Sequence, residues 1–304
     1  MKNLLRGFLL LAVAAPLAFT QGPSPEVRRA VVLTAVENMH SRSADVSDVV
    51  SQTVLGTAVK VLREEKNERG ELWFEIETPD AYRGWVASGS VRVLQNAEKG
   101  YAAGRAFEVT SLFANIYADA DVTKRKPLVT VTIGVRLEPG ECGERWCAVT
   151  LPDDRPGWVQ AGDGVLTDAN APRRRLSTDE MVSLARRFLG LPYYWGGTTP
   201  YGLDCSGYVQ LIYRLAGIDI LRDAGIQFEG SGLEPVAAGG ERAGDLVFFG
   251  RAPNRITHVG MMVDAQDFIN ATTRERPVVQ ISRLEDPSWQ RIYQGARRPA
   301  AGSR

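Results

Sequence analysis

Short apolar runs separated by turn residues fill residues 27–95: AVVLT from Ala30, DVVS from Asp48, VLGTAVKVL from Val54, LWFEIET from Leu72 and YRGWVAS from Tyr82. Runs of roughly four to eight residues at this spacing predict the strands of a small, curved all-β module. Residues 105–166 repeat the style with FEVTS from Phe107, LVTVTIGVRL from Leu128 and WCAVTLPDDRPGWV from Trp146. The segments YRGWV (82–86) and RPGWV (155–159) each follow a strand with an earlier tryptophan, Trp73 or Trp146. The pattern predicts two small β-barrels in tandem, over 27–96 and 105–168. Trp73, Trp85, Trp146 and Trp158 read as core fillers, and Tyr82, on the turn before its GWV strand, as facing outward.

A basic, proline-containing linker, ANAPRRR (169–175), changes the texture. Ser177 and Glu180 then form a capping-box pair, and Met181, Leu184, Ala185, Phe188 and Leu189 follow at helical spacing. Gly190 and Pro192 end that helix. A second helix is predicted from about Ser206 to Leu215, with Val209, Leu211, Ile212 and Leu215 apolar and Gly217 at its end. From Gly244 the chain reads as strands over 245–249, 258–263, 268–272, 277–281 and 291–295. Helices followed by an antiparallel sheet make residues 174–300 an α+β domain.

Composition narrows the function. The 304 residues carry 36 Lys plus Arg and 36 Asp plus Glu, with no basic stripe of the kind nucleic acids require, so no nucleic-acid partner is expected. Lys2 and Arg6 precede an apolar core at 8–19, too short for a permanent membrane span, and residues 1–20 read as a signal peptide. The expected protein is secreted or periplasmic, with no stable membrane insertion after cleavage. Cys142 and Cys147 lie close enough for a hairpin to bridge them, a possible disulfide in an oxidising compartment. With His40 and His258 the only histidines, a zinc site would need Cys205 or carboxylates drawn from several domains, and neither metal nor cofactor is expected.

Cys205 is then the odd cysteine. It sits where a helix begins, and unpaired N–H groups there favour a thiolate. His258 opens a strand in the same domain, and Asn270 lies in the next. A three-residue turn at 264–266 would pair Val263 with Asp267 and place His258 and Asn270 on one face as diagonal neighbours, whereas a two-residue turn would separate them. The residues there lack the Asn-Gly or Asp-Gly of a tight two-residue turn. These residues admit two readings: a buried small cysteine with an incidental histidine, or a Cys–His–Asn hydrolase.

The segments PYYWGG (192–197), LDCSGY (203–208), GDLVFFG (244–250), THVGMMV (257–263) and FINAT (268–272), in this order, resemble the NlpC/P60 family of cell-wall cysteine peptidases. The β-modules resemble bacterial SH3-like domains, on MHSRS (39–43), VLGTAVKVL (54–62) and TPDAYRGWV (78–86), with the second match resting on GWV (157–159). Together they resemble γ-D-glutamyl-L-diamino acid endopeptidases, which implies a papain-like α+β catalytic domain behind two SH3-like barrels. The resemblance implies Cys205 as nucleophile, His258 as general base and then acid, Asn270 as the group orienting the imidazole, and Tyr193 beside the oxyanion. It places Asp204, Ser206 and Tyr82 around a substrate's free N-terminal L-Ala amine, with Trp195, Arg222 and Asp223 lining the site. The implied partners are peptidoglycan stem peptides (muropeptides). The alternatives are a non-catalytic peptidoglycan-binding protein, or an amidase or acyltransferase with the same three residues.

Overall fold

The computed structural model describes residues 28–95 and 97–300. The segment read as a signal peptide lies outside the described residues. The first unit has seven strands: β1 (Arg28–Val32), β2 (Val36–His40), β3 (Val49–Val54), β4 (Ala58–Lys66), β5 (Leu72–Glu77), β6 (Arg83–Ala87) and β7 (Val91–Val93). They pair in the order β3-β2-β6-β5-β4-β1-β7. The second unit has β8 (Arg105–Val109), β9 (Phe113–Tyr117), β10 (Val129–Thr132), β11 (Arg136–Cys142), β12 (Trp146–Thr150), β13 (Pro156–Gln160) and β14 (Gly164–Asp168). Its order, β10-β9-β13-β12-β11-β8-β14, is that of the first unit with every label advanced by seven. Each unit has its own core, around Met39, Ile76 and Val86 in one and Phe107, Ile116 and Leu137 in the other.

The apolar pattern merged elements in two places. The run from Val54 turns at Gly56 (φ 79°), and the run from Leu128 turns at Gly134 (φ 83°), so each is two strands joined through a left-handed glycine. Two of the four tryptophans also differ from expectation. Trp73 and Trp85 are buried, but Trp146 and Trp158 are only half-buried. The side chains of Cys147, Val149 and Val159 fill the core, so the alternation of the strand sends Trp146 and Trp158 to the other face. There Trp146 meets Tyr117 edge-on at 5.8 Å. Cys142 and Cys147 are paired across β11 and β12 and form a disulfide.

The C-terminal unit runs α1 (Thr178–Arg186), β15 (Thr198–Thr199), β16 (Gly202–Leu203), α2 (Cys205–Leu215), α3 (Ala224–Gly230), β17 (Leu233–Val236), β18 (Leu246–Gly250), β19 (Ile256–Met262), β20 (Asp267–Thr272), β21 (Val278–Arg283), α4 (Pro287–Gln290) and β22 (Tyr293–Pro299). Its large sheet is antiparallel, in the order β17-β22-β18-β19-β20-β21. Alternation divides its side chains. Leu246, Phe248, Val259, Met261 and Ile269 pack with Met181, Ala185, Val209 and Ile212 of α1 and α2, while Val247, Phe249, Met262 and Phe268 pack with Trp289 of α4.

The helix α1 starts with the capping box of Ser177 and Glu180, and Phe188 is buried beyond its end. Leu189, read as part of the same apolar face, is instead 42% exposed, because the helix stops at Arg186 and the chain has left helical geometry. The pattern did not announce α3 or β17, which at seven and four residues are too short to show a hydrophobic period. No helix among the described residues is long and apolar enough to cross a membrane.

Glycines let the loop before α2 lie against its first turn. A Cβ on Gly207 would overlap the carbonyl oxygen of Gly197, and one on Gly197 would overlap that of Gly202. Backbone is met in both cases, so no rotamer relieves the overlap. Gly207→Ala is expected to cost about 1–3 kcal/mol in chemical denaturation and to disturb the start of α2; an unchanged midpoint would show that the loop moves aside.

Candidate active site

Cys205 is the first residue of α2 and 9% exposed. The helix begins there because Asp204, in extended geometry, is its N-cap and accepts the Gly207 N–H at 2.7 Å. The same carboxylate accepts the Gly196 N–H at 3.0 Å and the Ser206 hydroxyl at 3.3 Å. Arg222 completes the set. Its two terminal nitrogens donate to Asp204 at 3.1 and 2.7 Å, and Nη1 also donates to Ser206 Oγ at 2.9 Å. Arg222 is 2% exposed, and its Nε donates at 3.2 Å to Ser51 of the first β-unit. Burial is the largest single effect and opposes its charge, but Asp204 together with Asp223 and Tyr82 outweighs it and the guanidinium pKa is raised.

The placement of Cys205 at a helix start does not yield a free thiolate. Burial, followed by the Asp204 charge, pushes the thiol up to about 12, against a lowering contribution from the Val259 N–H. Asp204 as cap occupies the helix end that would otherwise stabilise the sulfur anion. In the free protein the group is therefore a thiol.

Chain register brings His258 and Asn270 together. Met261 faces Ile269 and Met262 faces Phe268, with the Val263 N–H donating to the Asp267 carbonyl, so the turn comprises residues 264–266. His258 Nε2 lies 3.0 Å from Asn270 Oδ1. Asn270 is fully buried, and its Nδ2 donates to the Gln280 carbonyl at 3.3 Å and to Ser282 Oγ at 3.1 Å. Those acceptors fix the amide with its oxygen toward the imidazole, so Nε2 must carry the hydrogen and Nδ1 the lone pair. Burial drives the imidazole pKa down to about 4, with the Asn270 hydrogen bond opposing and Arg274 assisting. Trp289 stacks on the ring at 5.1 Å, and Arg274 lies 4.2 Å over that indole.

No hydrogen bond joins Cys205 and His258 among the described residues. The sulfur is instead near the N–H of Val259, the residue after His258. Of the other residues singled out, Tyr193 is half-buried with its hydroxyl pushed up to about 12 by burial and by Cys205. Tyr82 does not face freely outward: it is half-buried, and its hydroxyl donates to Asp223 at 3.1 Å across the contact between units. Burial raises the pKa of Asp223. Trp195 is 69% exposed. Asp204, expected as a carboxylate available to an amine, has its charge matched by Arg222, whereas neighbouring Asp223 and Asp80 are in no ion pair among the described residues.

The sequence reading missed Ser51, Gln280, Ser282, Arg274 and Trp289. Only Gln280 and Ser282 had a signal, their alternation in a strand beside Asn270. No cluster of three or more His, Cys, Asp or Glu suited to a metal ion occurs among the described residues.

An antiparallel sheet packed against helices, with a cysteine at a helix start and a hydrogen-bonded His258–Asn270 pair on adjoining strands, makes the C-terminal unit an α+β arrangement. Residues 190–298 match the NlpC/P60 family, and residues 34–92 match the bacterial SH3 domain. Over 154 residues the chain is 34% identical to a protein of Bacillus cereus named gamma-D-glutamyl-L-lysine dipeptidyl-peptidase, covering 49% of this chain and 45% of that one. Over 142 residues it is 37% identical to the Escherichia coli protein named murein DD-endopeptidase MepH, covering 45% and 52%. These matches span about half the length of the curated relatives. The crystal structure of an NlpC/P60 family protein from Bacillus cereus shares the fold with a TM-score of 0.78 at 22% identity, covering 90% of this chain and all of that one.

Two measurements follow from the electrostatics. Alkylation of Cys205 by iodoacetamide should accelerate with rising pH past 9, and a plateau reached below pH 7 would mean a thiolate in the free protein. Arg222→Met should lose about 3–5 kcal/mol in denaturation, because it strands a buried carboxylate, and adding Asp204→Asn should recover roughly half; a neutral single variant would remove the structural role given to the pair.

Proposed function

We propose that the protein is a secreted or periplasmic cysteine endopeptidase that cleaves the γ-D-glutamyl–diamino acid bond of peptidoglycan stem peptides with a free N-terminal L-Ala. The observation that carries the reading is the locked His258–Asn270 pair at 3.0 Å, which leaves Nδ1 as a neutral base at physiological pH. The names of the relatives support the substrate class. In this reading residues 190–298 form a papain-like domain, and the second β-unit is another SH3-like module, supported by its matching strand order.

His258 Nδ1 removes the Cys205 proton as the sulfur attacks the γ-glutamyl carbonyl, since the resting group is a thiol. Bringing thiol and imidazole into contact belongs to substrate binding, as catalytic hydrogen bonds often tighten only in the complex. The Cys205 N–H and the protonated Tyr193 hydroxyl bind the oxyanion. His258 then protonates the leaving amine, and the thioester is hydrolysed by water that His258 deprotonates, releasing L-Ala-γ-D-Glu. Asp204, Ser206, Tyr82 and Asp223 hold the L-Ala ammonium. Asp223 supplies the net negative charge there, because Arg222 matches Asp204. Trp195 and Arg222 line the remainder.

Wild type should hydrolyse L-Ala-γ-D-Glu-L-lysine and its diaminopimelate counterpart, and Cys205→Ala should lose at least about 1,000-fold, a loss suited to a nucleophile. Activity surviving in that variant removes the mechanism. Acetylating the L-Ala amine should abolish turnover, and unchanged turnover would remove the amine site. Protonation of His258 destroys the base, so kcat/KM should hold as pH falls and decline only near 4; an acid limb near 6.5, the ordinary imidazole value, contradicts the buried neutral base.

A further inference from the structure

A second pocket lies between the first β-unit and the loop that precedes Cys205. It encloses about 780 Å³, and Glu37, His40, Asp45, Glu71, Tyr194 and Tyr201 are part of its wall. Neither Cys205, His258 nor Asn270 lines it.

The wall carries three carboxylates and neither lysine nor arginine. Among the described residues the ion pair made by these carboxylates is that of Asp45 with Arg69 at 3.7 Å, exposed at both ends, and such a pair is weak and screened. Glu37 accepts a bond from the neutral Thr34 hydroxyl at 3.1 Å, and Glu71 from the neutral Asn67 amide at 2.7 Å. Their charges are left unmatched.

His40 supplies an independent sign of a ligand. It is only 8% exposed, and its Nδ1 faces the Ser47 carbonyl oxygen at 3.1 Å. A carbonyl only accepts, so Nδ1 carries a hydrogen; in the neutral ring Nε2 is then an acceptor, and no hydrogen bond to it occurs among the described residues, His40 being part of the pocket wall. Tyr194 and Tyr201 add rings that are 39% and 49% exposed, and Tyr194 is held in place by the Asn38 amide at 3.1 Å.

Negative charge, a spare acceptor and aromatic rings together suit a cation that donates hydrogen bonds. The described residues contain no metal-holding cluster, which favours an organic cation. We propose that this pocket binds the side-chain ammonium of a lysine-type residue in a peptide, at a place separate from the Cys205 site. The claim stands on the pocket's own charge, independently of the proposed hydrolysis.

The test is titration of wild type at low salt, by calorimetry or NMR, with Nα-acetyl-L-lysine amide and with its Nε-acetylated form, which has no charge. The cationic probe should bind at least about tenfold more tightly than the neutral one, and Glu37→Gln/Glu71→Gln should weaken it to a similar degree. Asp45→Asn, in an exposed loop, is a second variant expected to weaken it in the same direction. Cys205→Ala should bind as wild type does. Equal binding of the two probes, full affinity in all the acid variants, or no binding by wild type overturns the proposal. Loss of binding in Cys205→Ala also overturns it, by placing the probe in the catalytic cleft. Because binding needs no turnover, a failure to hydrolyse stem peptides would leave this result standing, and the reverse.

Discussion

The Asp204 carboxylate, 8% exposed and next to Cys205 in the chain, has five hydrogen bonds directed at it. It caps α2 through Gly207, fixes the preceding loop through Gly196, and pairs with Arg222, which reaches on to Ser51 of the first β-unit. A buried charge is tolerated only with such complete partnering. The start of the helix, the loop beside it and the seating of the first β-unit therefore meet at one carboxylate, and removing Arg222 leaves that charge unmatched.

That arrangement sets the electrostatics around the cysteine. A carboxylate at the helix cap uses up the positive end of α2, and burial does the rest, so Cys205 rests as a thiol. Burial acts oppositely on His258, a base, keeping it neutral well below physiological pH. In the proposed reaction the proton passes from thiol to imidazole during attack, and neither charge has to be sustained in the resting site. Asn270 contributes by hydrogen bonding alone, and its own amide is oriented by Gln280 and Ser282, so the tautomer of His258 is decided two strands away.

The first β-unit does more than precede the C-terminal one. Ser51 contacts Arg222, Tyr82 contacts Asp223, and the Gln210 amide of α2 donates to Asp80 at 3.0 Å. Gln52 accepts the Thr198 N–H at 2.9 Å. That bond and the one from the Asn38 amide to the Tyr194 hydroxyl tie the loop that carries Tyr193 to Gly202 to the first β-unit, so that loop is shaped by two units at once. The pocket with Glu37 and Glu71 opens along the same contact.

Local rules carried in the residues determined much of this. Ser177 and Glu180 marked a helix start, the lack of an Asn-Gly or Asp-Gly pair at 264–266 pointed to a three-residue turn, and that turn's odd length put His258 and Asn270 on one face. The cysteine, histidine and asparagine were legible because each is tied to a helix start or to a strand of period two. Strand boundaries at Gly56 and Gly134 were not, because apolar residues continue through both turns and periodicity alone does not register a left-handed glycine. The outward faces of Trp146 and Trp158 depended on which side of the sheet met the core. The charge states of Cys205 and His258, the pairing of Asp204 with Arg222, and the stacking of Trp289 all join residues distant in the chain. They depend on burial and on contacts across elements, which only the tertiary structure decides.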